Sequence, residues 1–113
     1  MGSEKAIFVT GAASGIGRAT AELFSIRGWR VGLADIDEAG LATVAAWLPA
    51  DRTSTHRLDV RDKTQWAEAL KAFTAHTGGR LDVLFNNAGV AQGGPLAEAS
   101  AVTRAAQRPV HLR

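Results

Sequence analysis

The 113-residue sequence contains no cysteine, and its three histidines lie far apart in the chain. Without cysteine the chain cannot form disulfides, thiolate metal sites or a cysteine nucleophile. The spacing of His56, His76 and His111 matches no metal-ligand pattern, so we predict that each histidine lies at the surface. We therefore expect no metal site.

Charge of one sign and long apolar runs are also scarce. The 13 Lys and Arg residues are spread along the chain among 11 acidic residues, and the net charge is +2. No basic cluster is present that could follow a nucleic-acid backbone. No stretch approaches the roughly 18 apolar residues of a membrane span, and no segment resembles a signal peptide. We expect a cytoplasmic protein that has neither nucleic acid nor membrane as a partner.

Length and composition predict a single domain over residues 1–113. Hydrophobic residues make up 46% of the chain and charged residues 21%, which is ordinary for a globular protein. A chain of this length can bury one hydrophobic core. After Glu98 every ionisable side chain is basic, so residues 101–113 form an atypical tail.

Strand and helix patterns alternate along the chain. Short apolar runs predict buried parallel strands, and apolar residues at helical spacing predict helices. The predicted strands are residues 6–10, 31–34, 54–58 and 81–85, and the helices between them begin at Ser14, Asp37 and Asp62. This alternation predicts an α/β fold: a Rossmann-like, doubly wound parallel sheet that is incomplete, with about four strands and helices on both faces.

Each predicted helix has an apolar face and a suitable end. Gly28, Pro49 and Gly78 would end the three helices. Gln65, three residues after Asp62, gives the third helix a start that resembles a capping box. The residues expected to face the sheet are Ile16, Ala19, Leu23 and Phe24 in the first helix, Leu41, Val44, Ala45 and Leu48 in the second, and Trp66, Ala69, Leu70 and Phe73 in the third.

The stretch TGAASGIG at residues 10–17 places three glycines directly after the first predicted strand. A glycine-rich turn between a strand and a helix offers free backbone N–H groups and the positive end of the helix dipole, which suits a phosphate. Gly11 permits the tight turn, Gly15 lets a pyrophosphate approach the backbone, and Gly17 lets the helix pack against the strand. An ordinary turn is the alternative interpretation. A Walker-type site is disfavoured because no Gly-Lys-Ser/Thr occurs.

Three motifs, in this order, resemble the short-chain dehydrogenase/reductase family. The glycine turn is similar to the family's Thr-Gly-x-x-x-Gly-x-Gly, the fourth strand ends in a similar Asn-Asn-Ala-Gly, and Asp59-Val60 resembles the pair beside the adenine ring. The matching residues are Thr10, Gly11, Gly15, Ile16 and Gly17 in the turn, and Asn86, Asn87, Ala88 and Gly89 after the fourth strand.

The resemblance implies NAD or NADP at the carboxyl ends of the strands. Asp35 lies near the roughly 20-residue offset of a carboxylate that binds the ribose, and its charge favours NAD because it would repel a 2′-phosphate. The alternatives are a solvated turn acid for Asp35, a strand-end cap for Asp59 and a bridge between strands for Asn86. The implied cofactor contacts are Gly11, Ser14, Gly15, Ile16, Gly17, Asp35, Asp59, Val60, Asn87, Ala88 and Gly89.

In this family a Tyr-x-x-x-Lys pair, helped by Ser and Asn, moves the proton that accompanies hydride transfer, and this sequence has no tyrosine. The resemblance therefore implies the cofactor-binding half of an NAD-dependent oxidoreductase acting on a small-molecule alcohol or ketone. Beyond about Ser100 we hypothesise a truncated or frame-altered product, with a chance surface tail as the alternative. A non-catalytic dinucleotide-binding module or remnant is the alternative function, and a methyltransferase is a more distant one.

A sheet that stops after four strands has an energetic cost. The outer edge of the fourth strand would be unpaired, and the apolar sheet faces around Val83 and Phe85 would lack a covering helix. We therefore expect the chain to self-associate.

Overall fold

Strands and helices alternate in the computed structural model, which describes residues 4–88 and the backbone of residues 102–104. A single 3₁₀ turn, Ala50–Arg52, precedes the third strand. The elements are β1 (Ala6–Thr10), α1 (Gly15–Ile26), β2 (Arg30–Asp35), α2 (Glu38–Ala45), β3 (Thr53–Arg57), α3 (Lys63–Thr77), β4 (Val83–Asn86) and β5 (Val102–Arg104).

The strands form one sheet in the order β3-β2-β1-β4-β5. The pairs among β1 to β4 are parallel, which confirms the predicted Rossmann-like sheet with flanking helices. The expectation that the outer edge of β4 is unpaired is wrong. β5 pairs with it in antiparallel register, from Val83 opposite Arg104 to Phe85 opposite Val102, and so satisfies backbone groups that would otherwise face solvent.

The core lies on both faces of the sheet because successive side chains of a strand point to opposite faces. On one face Ile7 and Val9 of β1 pack with residues of α1 and α2. On the other face Ala6 and Phe8 pack against α3. Val83, expected to lie on an uncovered face, is buried in the first of these clusters, and Phe85 packs against the same cluster while partly exposed.

Helix α1 turns a different face to the sheet than the sequence pattern predicts. Its buried residues are Gly17, Ala21 and Ser25, whereas Ile16 is 68% exposed and Leu23 47% exposed. Ala19 is also exposed, and of the four predicted core residues only Phe24 packs on the core. The reason is steric at the start of the helix, because a Cβ on Gly17 would overlap the Gly11 carbonyl and the first turn of α1 has no room for a side chain there.

Helix ends follow the sequence signals in part. The Asp37 carboxylate accepts from the Gly40 N–H at 2.9 Å, and α2 then ends at Ala45, before the predicted Leu48. Ser14 occupies the N-cap of α1, but its hydroxyl makes no capping hydrogen bond. Gly28, just beyond α1, has a positive φ of 86°, which suits a helix end.

Helix α3 begins and ends as predicted. The Asp62 carboxylate accepts from the N–H groups of Thr64 and Gln65, and Gly78 ends the helix with a φ of 70°. Gln65 does not complete a capping box, however. Its carbonyl oxygen accepts instead from the Asp59 N–H at 2.8 Å, so the first turn of α3 is tied to the segment that follows β3.

Across residues 4–88 the structure has no helix that is long and apolar enough to cross a membrane. The same residues include no group of three or more side chains arranged to hold a metal ion.

His56 corrects the expectation that every histidine lies at the surface. Its side chain points from β3 towards α3, is only 8% exposed, and lies against the rings of Phe8 and Phe73. The Ser54 hydroxyl is 2.7 Å from its Nε2 atom. Burial, together with the charge of the exposed His76, lowers the pKa of His56 to about 4. The third histidine, His111, lies outside the described residues.

His56 therefore makes stability depend on pH. Because the unfolded chain holds a proton on this histidine up to its ordinary pKa of 6.5, the unfolded state binds more protons between about pH 4 and 6.5. We expect the free energy of unfolding to rise over this window by up to about 3 kcal/mol and to stay level above it. Urea unfolding at a series of pH values measures the slope.

His56→Gln should remove that slope, and His76→Gln, at the exposed neighbour, should leave most of it. An equal pH dependence in wild type and His56→Gln would contradict the assignment.

Candidate functional site

The candidate site lies at the carboxyl ends of the parallel strands. The glycine turn follows β1, Asp35 ends β2, residues 58–61 follow β3, and Asn86 ends β4. Because parallel strands end at the same edge of a sheet, four segments that are distant in sequence meet there. The structure thus brings together every described segment that the sequence analysis selects.

The glycine turn depends on backbone that side chains would obstruct. Gly11 and Gly15 have positive φ values of 67° and 61°, a region that favours glycine. A Cβ on Gly17 would overlap the carbonyl oxygen of Gly11. The close contact that Gly17 permits is thus between the first turn of α1 and the glycine turn itself, at the end of β1.

The mouth of this turn is open. A Cβ at Gly15 would meet no atom within 4 Å, and Ser14, Gly15 and Ile16 are all exposed. The first N–H groups of a helix have no intrahelical acceptor, and the Ser14 hydroxyl does not accept from them. The start of α1 can therefore donate hydrogen bonds to an anion.

Asp35 joins the glycine turn to the start of α2. One carboxylate oxygen accepts from the Ala13 N–H at 3.1 Å, and the other from the Asp37 N–H at 3.0 Å. A backbone hydrogen bond from the Ala12 N–H to the Ala34 carbonyl runs beside it. The negative charge of Asp35 is thus held in a fixed position next to the turn, half-buried.

Residues after β4 close the turn from the other side. The Thr10 hydroxyl donates to the Asn86 side-chain oxygen at 2.9 Å and accepts from the Ala88 N–H at 3.0 Å. Asn86 therefore does bridge neighbouring strands, as its structural interpretation predicts. The Asn87 amide nitrogen lies beside Gly11, and Gly89 lies outside the described residues.

A cavity of about 250 Å³ opens next to Asp35. It lies between the segment after β2 and the segment after β3, with the β4 end at one side. Its walls combine apolar side chains with two carboxylates and one guanidinium. The lining residues are Asp35, Ile36, Leu58, Asp59, Val60, Arg61 and Ala88.

The Asp59 carboxylate accepts three hydrogen bonds in this cavity wall. Its side-chain oxygens accept from Nε and Nη2 of Arg61, each at 3.0 Å, and one of them also accepts from the Arg61 backbone N–H. Hydrogen bonds from the Arg61 side chain, then from its backbone, lower the pKa of Asp59 to about 2. The turn that Asp59 forms supports its interpretation as a strand-end cap, and this is compatible with a place in the cavity wall.

The neighbouring Val60 is held by a tryptophan. The Trp66 indole N–H of α3 donates to the Val60 carbonyl at 2.8 Å. Gln65, one residue earlier, accepts from the Asp59 N–H. The first turn of α3 therefore sets the position of the cavity wall.

Sequence reasoning missed three lining residues, Ile36, Leu58 and Arg61. Ile36 and Leu58 each stand next to a selected acid, so adjacency alone would have found them. For Arg61 the available signal is a cation two residues after Asp59, a spacing that allows a carboxylate to bond the backbone and side chain of the same residue.

Comparison with known proteins identifies the family. A family model described as short chain dehydrogenase matches residues 5–108. The chain is 48% identical over 100 residues to 2,5-dichloro-2,5-cyclohexadiene-1,4-diol dehydrogenase of Sphingobium indicum, covering 87% of this chain and 39% of the relative. It is 43% identical over 86 residues to short-chain dehydrogenase reductase 5 of Arabidopsis thaliana, covering 76% and 33%.

Solved structures give the same result. A short chain dehydrogenase/reductase from Burkholderia phymatum in complex with NAD superposes with a TM-score of 0.68 and 34% identity, covering 73% of this chain and 30% of that one. A short chain dehydrogenase from Bacillus anthracis gives a TM-score of 0.71 at 26% identity, covering 76% and 35%.

The match covers between 33% and 39% of the length of these two curated relatives. The match with the family model includes the glycine turn, Asp35, the cavity after β3 and the end of β4. The methyltransferase alternative is thereby excluded, and the chain belongs to the short-chain dehydrogenase family.

Proposed function

We propose that this chain carries the NAD site of an oxidoreductase that interconverts a small-molecule alcohol and the corresponding carbonyl compound. One observation carries the proposal: the Asp35 carboxylate connects the open glycine turn to the cavity lined by Asp59 and Val60. A phosphate site, a ribose-binding acid and a recess with apolar and charged walls would then follow one another at the carboxyl ends of the strands, in the order of the parts of a dinucleotide.

The glycine turn would hold the pyrophosphate. Gly15 offers open space, and the exposed N–H groups at Ser14, Gly15 and Ile16 can donate to it at the positive end of α1. Gly11 and Gly17 keep the turn tight enough for these donors to converge. Asn87 and Ala88 would border the coenzyme from the β4 side, and the contact expected of Gly89 stays a prediction from the sequence.

Asp35 would bind the adenosine ribose, and Asp59 and Val60 the adenine. The backbone donors at Ala13 and Asp37 keep the Asp35 carboxylate in place, where it can accept from ribose hydroxyls. A 2′-phosphate at the same place would meet a negative charge, so we propose NAD as the coenzyme in preference to NADP.

Bound NAD would supply the hydride acceptor or donor of the reaction. The residues described above would bind and orient it. The 113 residues contain no tyrosine, however, and tyrosine is the residue that moves the proton in this family. We therefore propose that the proton-transferring group comes from outside these residues. The cytoplasmic location expected from the sequence stays a prediction.

A dinucleotide-binding module without turnover is the second candidate function. The same absence of tyrosine favours it. An NADH-coupled assay with a panel of alcohols and ketones separates the two when it is run with both this chain and the proposed proton-transferring group present, because only the oxidoreductase then changes the NADH absorbance.

The charge of Asp35 can be tested with Asp35→Asn, which keeps an amide oxygen for the Ala13 N–H. We expect wild type to bind NADH at least about tenfold more tightly than NADPH, and Asp35→Asn to reduce this ratio below about threefold. Quenching of tryptophan fluorescence measures both affinities. Asp37→Asn is the matched control, since asparagine also caps a helix. Equal affinity of wild type for both coenzymes would contradict the assignment.

The glycine turn can be tested with three alanine variants. Gly15 and Gly28 both have positive φ and open space, so each substitution should cost about 1–2 kcal/mol in unfolding free energy. Of these two variants, only Gly15→Ala should also weaken NADH binding, by about tenfold or more.

Gly17→Ala should lower the unfolding free energy by about 2 kcal/mol or more and abolish NADH binding, because the backbone of the turn must move. Equal NADH affinities of Gly15→Ala and Gly28→Ala would remove Gly15 from the site.

We also propose that the chain self-associates, through α1. Ile16, Leu23 and Ile26 are 68%, 47% and 83% exposed on this helix, as judged from the part of the chain that the structure describes. An exposed apolar stripe of this kind marks an interaction surface, and we propose that a second copy covers it. Sedimentation velocity at micromolar concentration should show a dimer or larger species. Ile26→Lys should shift the sedimentation coefficient towards that of a monomer, whereas Ala42→Lys, at an exposed position of α2, should not. A wild-type monomer would refute the idea.

A further inference from the structure

Asp59 and Arg61, which both line the cavity, form an ion pair with two side-chain hydrogen bonds. Arg61 reaches both carboxylate oxygens of Asp59 at once, in the two-pronged geometry of a guanidinium against a carboxylate. The backbone of Asp59 is held as well, because its N–H donates to Gln65 and its carbonyl accepts from the Asp62 N–H at 2.9 Å. Main chain and side chain of Asp59 are thus both fixed.

The pair has little to offer the stability of the fold. The Arg61 side chain is 78% exposed, and exposed ion pairs contribute little to the free energy of unfolding. Both residues line the cavity beside Asp35. A more specific role is therefore to prepare the wall of that cavity for a ligand.

The chemistry of the pair limits what the ligand can present. An ionised aspartate can only accept hydrogen bonds. The two-pronged contact with the Arg61 guanidinium, which stays charged, holds the Asp59 carboxylate in one orientation. Oδ1 already accepts from both the backbone N–H and Nε of Arg61, whereas Oδ2 accepts from Nη2 alone, so the remaining lone pair of Oδ2 can receive a further donor. A ligand group that can only accept hydrogen bonds would face a carboxylate that cannot donate one, so the two groups would repel each other.

We propose that Arg61 is a positioning residue, which fixes Asp59 as an acceptor and thereby makes the cavity select a 6-amino purine over a 6-oxo purine. This inference rests on the proposed function, since it takes the adenosine end of NAD as the occupant of the cavity. It adds a residue that does not itself need to contact the coenzyme.

The test compares NADH with reduced nicotinamide hypoxanthine dinucleotide, which carries an oxygen where adenine has its amino group. Titration of the 113-residue chain follows the quenching of tryptophan fluorescence, to which Trp66 contributes from beside the cavity through its bond to the Val60 carbonyl. We expect wild type to prefer NADH by about tenfold or more, the usual effect of leaving a charged acceptor unpaired. Arg61→Gln should reduce the preference to below about threefold, and Arg61→Lys should restore part of it.

Arg57→Gln is the matched control. Arg57 is exposed and acts on Asp59 through its charge, so its loss removes a nearby cation without removing the two-pronged contact. The NADH preference should then stay close to the wild-type value. Asp59→Asn, which puts an amide at the cavity wall, should lose the preference entirely.

A second readout needs no coenzyme. Carbon-13 NMR of the Asp59 carboxyl should show its pKa rising from about 2 towards the ordinary value of 3.8 in Arg61→Gln. Arg57→Gln should move it far less.

The outcomes separate the inference from the proposed function. If wild type binds neither dinucleotide, the proposed function fails and the inference falls with it. If wild type binds NADH but does not discriminate, or if Arg61→Gln keeps the full preference while Asp59→Asn loses it, the NAD site stands and the role of Arg61 is refuted. An unchanged Asp59 pKa in Arg61→Gln would refute it as well.

Discussion

The contact on which the site depends is between two stretches of bare backbone. The first turn of α1 passes so close to the end of β1 that a methyl group on Gly17 would overlap the Gly11 carbonyl. This approach sets the direction in which α1 leaves the sheet and the place where its N–H groups point. It also accounts for the small residues on the buried face of α1, Gly17, Ala21 and Ser25, next to which Phe24 packs while partly exposed.

Parallel strand pairing places the glycine turn next to the other segments of the candidate site. The four parallel strands end at one edge of the sheet, and the segments that follow them are joined by side-chain hydrogen bonds. Asp35 links the ends of β1 and β2, and Thr10 links the ends of β1 and β4. Each of these polar side chains satisfies backbone or side-chain partners already, so a ligand would meet a prepared surface.

The cavity wall formed by Asp59 and Val60 depends on the start of α3. Asp62 caps α3, and the next residues of that helix, Gln65 and Trp66, bond back to Asp59 and Val60. Folding of α3 therefore determines the shape of the cavity wall, although no residue of α3 lines the cavity. The Asp59–Arg61 pair then adds a fixed charge pattern to a wall whose backbone is already in place.

Local patterns in the sequence determined much of this protein. The apolar run at residues 6–10, the acids at Asp37 and Asp62 and the glycines after β1 each specify a strand, a helix start or a turn through neighbours a few positions away. The alternation of these elements was enough to predict the parallel sheet, and the three motifs were enough to predict the family.

Only the tertiary structure decided which faces are covered and which distant residues meet. The pairing of β5 with β4, the burial of His56 against Phe8 and the outward face of α1 all depend on contacts between segments far apart in sequence. The ion pair between Arg61 and Asp59 joins residues that are close in sequence. The cavity that this pair lines, however, also depends on the segments that end β2 and follow β4. The spacing of apolar residues in the sequence indicates which face of a helix or strand is apolar, but the packing of the whole chain determines what that face contacts.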